Sequence, residues 1–423
     1  MEAWNNNKLC ITALYDLSKA FDCVHHNLLL TKMYNCGIRG IALDLFESYL
    51  ENRTQIVQLT VLKENIVKDV YSERKKVIRG VPQGSIIGPI LFIIYINNLP
   101  EVIKENVVLF ADDTAILYEN ANEKDITEQI DISINFLNNW FDDNNLRLNI
   151  AKTQFIKFGN YGDTQNNLLL PNVGNISLQA VVKFLGLNMD KHLAWKYHID
   201  SLTNKISKYI YLIRTMIKNV PLSVVRTAYM SLIQSNIQYG IIFWGHVSYV
   251  KQLFLMQKRA IRAICQVGPR ESCRSLFKNL QILTVTDLYV LSCATFVKKY
   301  PQLFQNQVYN HPYTTRNKDK LVTMQSKLSV TNNNPLNAII RVYNKLPTYI
   351  TSRDCSSLTF KNDIKKILYN YNYYNLEEFF NTKFYNFFML CIKFILSFMY
   401  FFIYCIFTSC SDSFHTGLQY SME

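Results

Sequence analysis

The chain has 423 residues, 49% of them hydrophobic, which is enough for two or three domains with a sizeable core. Its 45 lysines and arginines outnumber 32 aspartates and glutamates, and the net charge of +13 favours a polyanionic partner, although a merely basic soluble protein has the same balance. The ten cysteines include no CxxC pair, which argues against a structural zinc site, and the first residues do not resemble a signal peptide, so reduced thiols are expected.

Strand and helix patterns alternate in the first hundred residues. Residues 8–16 are mostly apolar and predict a strand that runs into an acidic residue, after which helical spacing continues to Gly37. A short helix is expected at 41–50 and a strand at 53–62. Three glycines and two prolines within residues 80–89 predict a turn-rich entry to an apolar helix.

The following segment predicts a hairpin and then a long helix. Residues 105–120 alternate around an acidic pair, as in strand, turn and strand, and residues 126–146 form an amphipathic pattern of about six turns. The elements expected after these are strands at 146–159 and 180–190, a mainly helical region from about 195 to 310, and one or two helices within 335–381.

The C-terminal residues differ in composition from the rest. Residues 387–407 are a nearly continuous apolar run of 21 residues with one charge, Lys393, and this length would span a bilayer. A membrane anchor, a buried helix and translation of A/T-rich DNA past an ancestral stop codon all fit. We favour the last, because the run lacks the small residues common in membrane helices and a central lysine costs about 2.5–3.5 kcal/mol on insertion.

Acidic residues give the strongest local signal for chemistry. Asp112 and Asp113 lie between apolar strand segments, where a tight turn would direct both carboxylates toward one site; an ordinary solvated turn is the alternative, since aspartate favours turns. Asp16 follows another apolar strand. Carboxylates from neighbouring strands are suitable ligands for a pair of Mg²⁺ ions, so this set suggests two-metal phosphoryl transfer.

Five segments resemble, in order, the catalytic blocks of non-LTR (LINE-like, arthropod jockey-type) retrotransposon reverse transcriptases. They are YDLSKAFDCVHH, RGVPQGSIIGPILFIIYINNLP, FADD, LRLNIAKTQFIKFG and KFLGLNMDKHLAWKYHI, and together they lie within residues 11–199. The resemblance implies an α/β (α+β) fold with a right-hand polymerase palm, an antiparallel sheet that carries the carboxylates, and helical thumb-like and C-terminal regions. It implies an RNA-directed DNA polymerase that adds dNTPs to a primer 3′-hydroxyl with two Mg²⁺ ions.

The same resemblance assigns roles to single residues. Asp16, Asp112 and Asp113 would be metal ligands, together with the backbone carbonyl of Leu17. The substrate-binding and catalytic positions would be Phe21, which excludes a 2′-hydroxyl, Gln83 at the dNTP, Gly84 where the backbone approaches the template–primer, and Lys152 at the departing pyrophosphate. Spacing alone favours a plain helix core residue at Phe21 and a solvated lysine at Lys152.

Weaker similarities suggest the rest of the organisation. The domains expected are a palm at 1–190, a thumb-like region at 191–270, a helical C-terminal region at 271–381 and an apolar tail at 382–423. Further expectations are a primer grip at 184–186, a phosphate contact at Arg79, a basic helix at 255–264 that tracks nucleic acid, and a closing segment at 360–380. The partners implied are an RNA template, a DNA primer or target and dNTPs, in the nucleus or cytoplasm, with no membrane or protein partner expected.

Two departures from the family pattern have consequences. Asn98 stands where the family commonly has aspartate, which changes a local hydrogen bond but no metal ligand. The chain also begins about fifteen residues before Asp16, so the fingers and endonuclease of these elements are expected to be missing and polymerisation to be weak. The alternatives are an inert or repurposed nucleic-acid-binding fragment and a membrane-associated protein anchored by 387–407.

Overall fold

The computed structural model describes residues 2–63, 66–159, 167–171, 174–304, 320–324 and 334–384. The chain divides into two compact units, Met1–His198 and Ile199–Glu423. The first combines helices with antiparallel strands, and the described part of the second is helical, so the prediction of an α/β (α+β) fold is confirmed. The further division of the helical part at residue 270 stays a prediction.

The first unit contains six short or medium helices and twelve strands within its described residues. In chain order they are α1 Glu2–Asn5, β1 Leu9–Tyr15, α2 Ala20–Cys23, α3 His26–Asn35, α4 Ile41–Leu50, β2 Thr54–Gln55, β3 Gln58–Lys63, β4 Ile66–Tyr71, β5 Lys75–Lys76, α5 Ile87–Ile96, β6 Asn106–Phe110, β7 Asp113–Asn120, α6 Glu123–Asp143, β8 Gln154–Phe158, β9 Asn167–Leu170, β10 Gly174–Ser177, β11 Val181–Phe184 and β12 Leu187–Asp190.

The second unit is a set of packed helices, and α7 crosses the boundary between the units. They are α7 Lys196–Met216, α8 Leu222–Tyr229, a π-helical turn Met230–Gln234, α9 Ser235–Gln238, α10 Ile241–Trp244, α11 Val250–Cys265, α12 Arg274–Leu280, α13 Val285–Lys299, α14 Pro335–Lys345, α15 Thr348–Thr351, α16 Ser357–Tyr371 and α17 Leu376–Asn381. Helix α13 packs against α10, α14 and α16. A capping box of Thr284 and Asp287 begins it and also binds the backbone of Tyr373.

A four-stranded antiparallel sheet with the order β6-β7-β1-β8 organises the first unit. Strand β1 lies inside this sheet, and its side chains alternate between two cores because successive strand residues face opposite sides. Ile11, Ala13 and Tyr15 join the larger core, which includes residues of α3, α5 and α6, while Cys10 and Leu14 join the smaller one. Burial on both faces explains why the segment is apolar almost throughout.

Helix α6 covers one side of the sheet through a single apolar stripe. Its buried residues recur at helical spacing, Ile126, Ile130, Ile134, Leu137 and Phe141 among them, and the helix packs against β7 and β9. The amphipathic pattern expected at 126–146 is therefore present, although the helix begins three residues earlier, at Glu123.

The strand predictions need three corrections. The expected strand at 180–190 is the hairpin β11–β12, because Leu185 and Gly186 both have positive φ and reverse the chain. The expected strand at 146–159 is regular only in β8, since Ile150–Lys152 form a 3₁₀ turn. The expected strand at 53–62 is split between β2 and β3, and β3 pairs with an unpredicted strand, β4.

The β3–β4 hairpin exposes apolar side chains on both of its faces. Leu62 is 71% exposed and Ile66 is 68% exposed, and Leu59, Val67 and Val70 are also exposed. A two-stranded ribbon of this kind depends on its hydrogen-bonded pairs rather than on core packing.

The apolar run at 387–407 lies outside the described residues. Among the residues that the structure describes, no single helix has the length and apolar character to cross a bilayer, and only one bent pair, α12 with α13 at 53°, passes that test jointly. Ten residues of α13 are buried inside the second unit.

Candidate active site

Strand β1 ends directly before Asp16, at the end of the sheet where the acidic hairpin lies. The β1–β7 register pairs Tyr15 with Thr114. Asp16 is the next residue after Tyr15, and Asp113 is the next residue before Thr114 on the antiparallel neighbour. The pairing therefore brings two carboxylates, separated by almost a hundred residues in sequence, to adjacent positions at one sheet edge.

The turn between β6 and β7 has two residues, and it differs by one position from the sequence prediction. Phe110 pairs with Asp113, so the turn consists of Ala111 and Asp112, and Asp113 is the first residue of β7 rather than a turn residue. Ala111 has a φ of 52°, a conformation that non-glycine residues adopt at a cost. The tight turn places Asp112 at the tip of the hairpin.

The negative charges of Asp16 and Asp112 act on the carboxylate of Asp113. Burial raises the pKa of Asp113, and the charges of Asp112 and Asp16 raise it further. Like charges that influence one another in this way lie in a common region of the sheet edge. One carboxylate oxygen of Asp16, Oδ2, is buried and accepts no hydrogen bond from the described residues.

Lys152 partly neutralises Asp16. Its Nζ lies 3.5 Å from Asp16 Oδ2. The chain before Lys152 pairs with the residues that follow β1, because Asn149 N donates to Asp16 O and Ser18 N donates to Arg147 O, both at 2.8 Å. Neither bond uses the carbonyl of Leu17.

The described residues contain no group of three or more histidine, cysteine, aspartate or glutamate side chains arranged to hold a metal ion. The donor set nevertheless suits a divalent cation, since Asp16 Oδ2 is buried, accepts no hydrogen bond and has only the Lys152 ammonium beside it. A cation would also relieve the repulsion that, after burial, raises the pKa of Asp113.

A cavity of about 420 Å³ lies beside the hairpin tip. Five of the residues singled out in the sequence line it, and they come from three separate segments: Leu17, Phe21, Gln83, Gly84 and Asp112. Asp16, Asp113 and Lys152 are not among its lining residues. Its volume is in the range of small-molecule sites.

The wall of this cavity depends on a glycine-rich loop bound to α2. Gly80 N donates to Val24 O at 2.7 Å and Val81 N donates to Phe21 O at 2.9 Å. Gly80 has a φ of 90°, and a Cβ there would lie 3.0 Å from the Asp22 backbone, so only glycine permits this approach. Gln83 Nε2 then donates to Asp22 Oδ1 at 3.0 Å.

Phe21 is both a core residue and a cavity residue. Its ring packs on Phe92 of α5 with centroids 4.8 Å apart, and it also lines the cavity. The two interpretations drawn from the sequence are therefore compatible. Contact with Phe92 restricts the ring, which is what a steric filter needs.

Sequence reasoning missed Lys19. This exposed lysine lines the cavity with Asp112, forms no ion pair with a described carboxylate, and has a left-handed backbone with a φ of 49°. It precedes α2, at the point where the chain leaves the paired segment after β1 and begins a helix. Its position three residues after Asp16, between strand and helix patterns, was the available signal.

The structure also describes the residues expected to form a primer grip, a phosphate contact, a basic helix and a closing segment. Residues 184–186 comprise the last residue of β11 and the two-residue β11–β12 turn, and Arg79 is exposed. In the basic helix at 255–264, Lys258 packs over the rings of Phe254 and Tyr374, and Arg262 donates to the carbonyl of Glu271. These two side chains therefore make intramolecular contacts. Residues 360–380 cover most of α16 and α17 and the residues 372–375 that join them.

Comparison with known proteins finds one matching family model, similar retrotransposon polymerases and a weak likeness to a solved structure. Residues 1–189 match the family model described as reverse transcriptase (RNA-dependent DNA polymerase). Two relatives from Drosophila melanogaster are each 26% identical over 68% of this chain, the probable RNA-directed DNA polymerase from transposon X-element and the RNA-directed DNA polymerase from mobile element jockey. The chain spans 32% of the length of each. Among solved structures, apo telomerase from Candida tropicalis matches 71% of this chain and 55% of its own, with 14% identity and a TM-score of 0.32.

Proposed function

We propose that this chain, whose residues 1–189 are a reverse transcriptase domain of the non-LTR retrotransposon type, is an RNA-directed DNA polymerase. The observation that carries the proposal is the convergence of separate sequence segments on one site. The Asp16 and Asp112–Asp113 segments meet at the sheet edge, and a cavity lined by Phe21 and Gln83 opens beside Asp112.

Reverse transcriptases generally use divalent metal ions. For this chain we propose two Mg²⁺ ions, with Asp16, Asp112, Asp113 and the Leu17 carbonyl as protein ligands. The ions would supply charge stabilisation for the attacking hydroxyl and for the leaving pyrophosphate. Lys152 would have to yield its position beside Asp16 Oδ2, and its freed ammonium could then contact the departing pyrophosphate.

Each of the cavity residues would contact a different part of the dNTP or of the template–primer. The Phe21 ring, fixed by Phe92, would overlap a ribose 2′-hydroxyl and so favour deoxynucleotides. Gln83 would contact the nucleotide, and Gly84, which has a φ of 82°, would let the backbone approach the template–primer. Lys19 would supply a cation for the phosphates, because it lines the cavity and forms no ion pair with a described carboxylate.

The proposed macromolecular partners are an RNA template and a DNA primer or target. The net charge of +13 supports a polyanionic partner. The proposed location is the nucleus or the cytoplasm, where such nucleic acids occur.

A second candidate function is nucleic-acid binding without catalysis. The observation in its favour is that Lys152 neutralises Asp16 and that no three-residue metal group forms among the described side chains. The same charge that attracts a template would serve this function.

Primer extension separates the two candidates. The full chain is given an oligo(dT) primer on poly(rA), dTTP and Mg²⁺, and the DNA products are resolved by length. We expect extension that Asp113→Asn abolishes and that Asp44→Asn, an exposed change on α4, leaves unchanged. Binding of the primed template without extension by any form of the chain would favour the second candidate.

A further inference from the structure

Lys32 on α3 is the centre of a half-buried polar cluster in the first unit. Its ammonium donates to Tyr95 O at 2.6 Å, to Asn98 Oδ1 at 3.0 Å and to Asn144 Oδ1. It also lies over the rings of Tyr95 and Trp140, at 4.7 and 4.8 Å from their centroids. One cation therefore joins α3, the end of α5 and the end of α6.

All of these partners are neutral. Lys32 forms no ion pair with a described carboxylate, and the other titratable groups that face it are Tyr95 and Cys36, the residue after α3. Burial lowers the pKa of Lys32 to about 8. Asn98, which occupies the position where aspartate is common in the family, accepts a hydrogen bond from Lys32 but does not supply a counter-charge.

Asn144 connects Lys32 to the segment that pairs with Asp16. It is 6% exposed and ends α6, where its Nδ2 donates to Trp140 O at 2.7 Å and its carbonyl accepts from Tyr95 Oη at 2.6 Å. The chain then turns through Leu146, and residues 147–149 pair with residues 16–18. The segment held by Lys32 is thus the backbone partner of Asp16 and leads directly to Lys152.

We propose that Lys32 is a positioning residue for the candidate active site, holding residues 144–149 in the place from which they pair with Asp16. The proposal rests on the proposed function for its catalytic meaning, but its geometry does not. An uncharged side chain at position 32 leaves three carbonyl oxygens without a donor and removes the cation from two aromatic faces, so the segment loosens. A carboxylate at position 98 would pair with the ammonium and tighten the same segment.

Hydrogen–deuterium exchange of the full chain tests this directly. In Lys32→Met we expect exchange about ten-fold faster in the peptides that contain residues 144–150 and 15–19, while peptides of β6 and β7 keep their rates. Lys32→Arg should restore slow exchange in part. The matched control is Lys8→Met, which removes another lysine of the same unit that faces Glu119 and should leave both peptides unchanged.

The Asn98→Asp variant supplies the opposite change and covers the case in which Lys32→Met does not fold. It should slow exchange at 144–150 and raise the melting temperature, and the gain in melting temperature should vanish or reverse when Lys32→Met is added. Unchanged exchange at 144–150 in both variants, or a uniform acceleration across the unit, would overturn the proposal. Since exchange requires no turnover, a chain without polymerase activity that follows this pattern would refute the proposed function alone.

Discussion

The carboxylates of Asp112 and Asp113 repel each other at the hairpin, and Asp16 adds to this repulsion. Because the pKa of Asp113 is raised from 3.8, the folded state favours its neutral form, and stability falls as pH rises from that value through the raised pKa. We predict that Asp112→Asn increases the melting temperature in EDTA and weakens this pH dependence, while it removes polymerisation. Thermal unfolding between about pH 4 and pH 7 measures both effects, and a lower melting temperature for the variant would contradict the prediction.

Lys19 lines the cavity together with Asp112 and is the proposed cation for the phosphates of a dNTP. Asparagine tolerates the left-handed backbone that Lys19 adopts, so Lys19→Asn removes the charge with little strain. We expect KM for dNTP to rise about ten-fold, as for the loss of one charge-assisted hydrogen bond, and the affinity for primed template to stay within about two-fold. Lys19→Arg should retain most of the function. Equal KM values for Lys19→Asn and the unaltered chain in steady-state primer extension would remove Lys19 from the site.

The β6–β7 hairpin depends on the backbone conformation of its two-residue turn. Ala111 has a φ of 52° in a two-residue turn, which a β-branched residue would adopt only at a large cost. We predict that Ala111→Val destabilises the chain by about 1–2 kcal/mol, whereas Ala111→Gly is neutral or stabilising. Urea unfolding of both variants gives the comparison, and equal losses for both would show that φ at this position is not the cause.

The elements also show what the sequence could and could not predict. Alternation and apolar spacing predicted β1, the β6–β7 hairpin and α6, because each buries a regular pattern of side chains. The β11–β12 turn was missed because Leu185 adopts a positive φ that its residue type does not favour. Strand β4 was missed because all of its residues are exposed, so no buried face marks it in the sequence.

The candidate active site likewise contains residues that the sequence identified and residues that it did not. The family resemblance identified Asp16, Phe21, Gln83 and Asp112 from local motifs, and the cavity and sheet register bring their segments together. Lys19 and Lys32 were not identified, because a lysine gains its meaning here from the neighbours that folding supplies. Single-sequence patterns contain no information on those neighbours.

For the whole chain, the net charge of +13 favours association with a polyanion, and the proposed partner is a primed RNA template. We predict that the affinity for a primed RNA template falls linearly on a logarithmic plot against salt concentration, because binding releases condensed counterions. Fluorescence anisotropy with a labelled template between about 50 and 200 mM salt measures the slope. A salt-independent affinity would contradict a phosphate-binding surface of any kind on this chain.

Mn²⁺ binding followed by electron paramagnetic resonance tests whether Asp16, which follows β1, shares divalent cations with the carboxylates of the β6–β7 hairpin. Mn²⁺ accepts the same oxygen ligands as Mg²⁺. We predict that the full chain with dNTP binds Mn²⁺ and that Asp16→Asn and Asp112→Asn each weaken binding about ten-fold, while Asp44→Asn does not. Unaltered binding in Asp16→Asn, alongside loss in Asp112→Asn, would show that the two segments hold no ion in common.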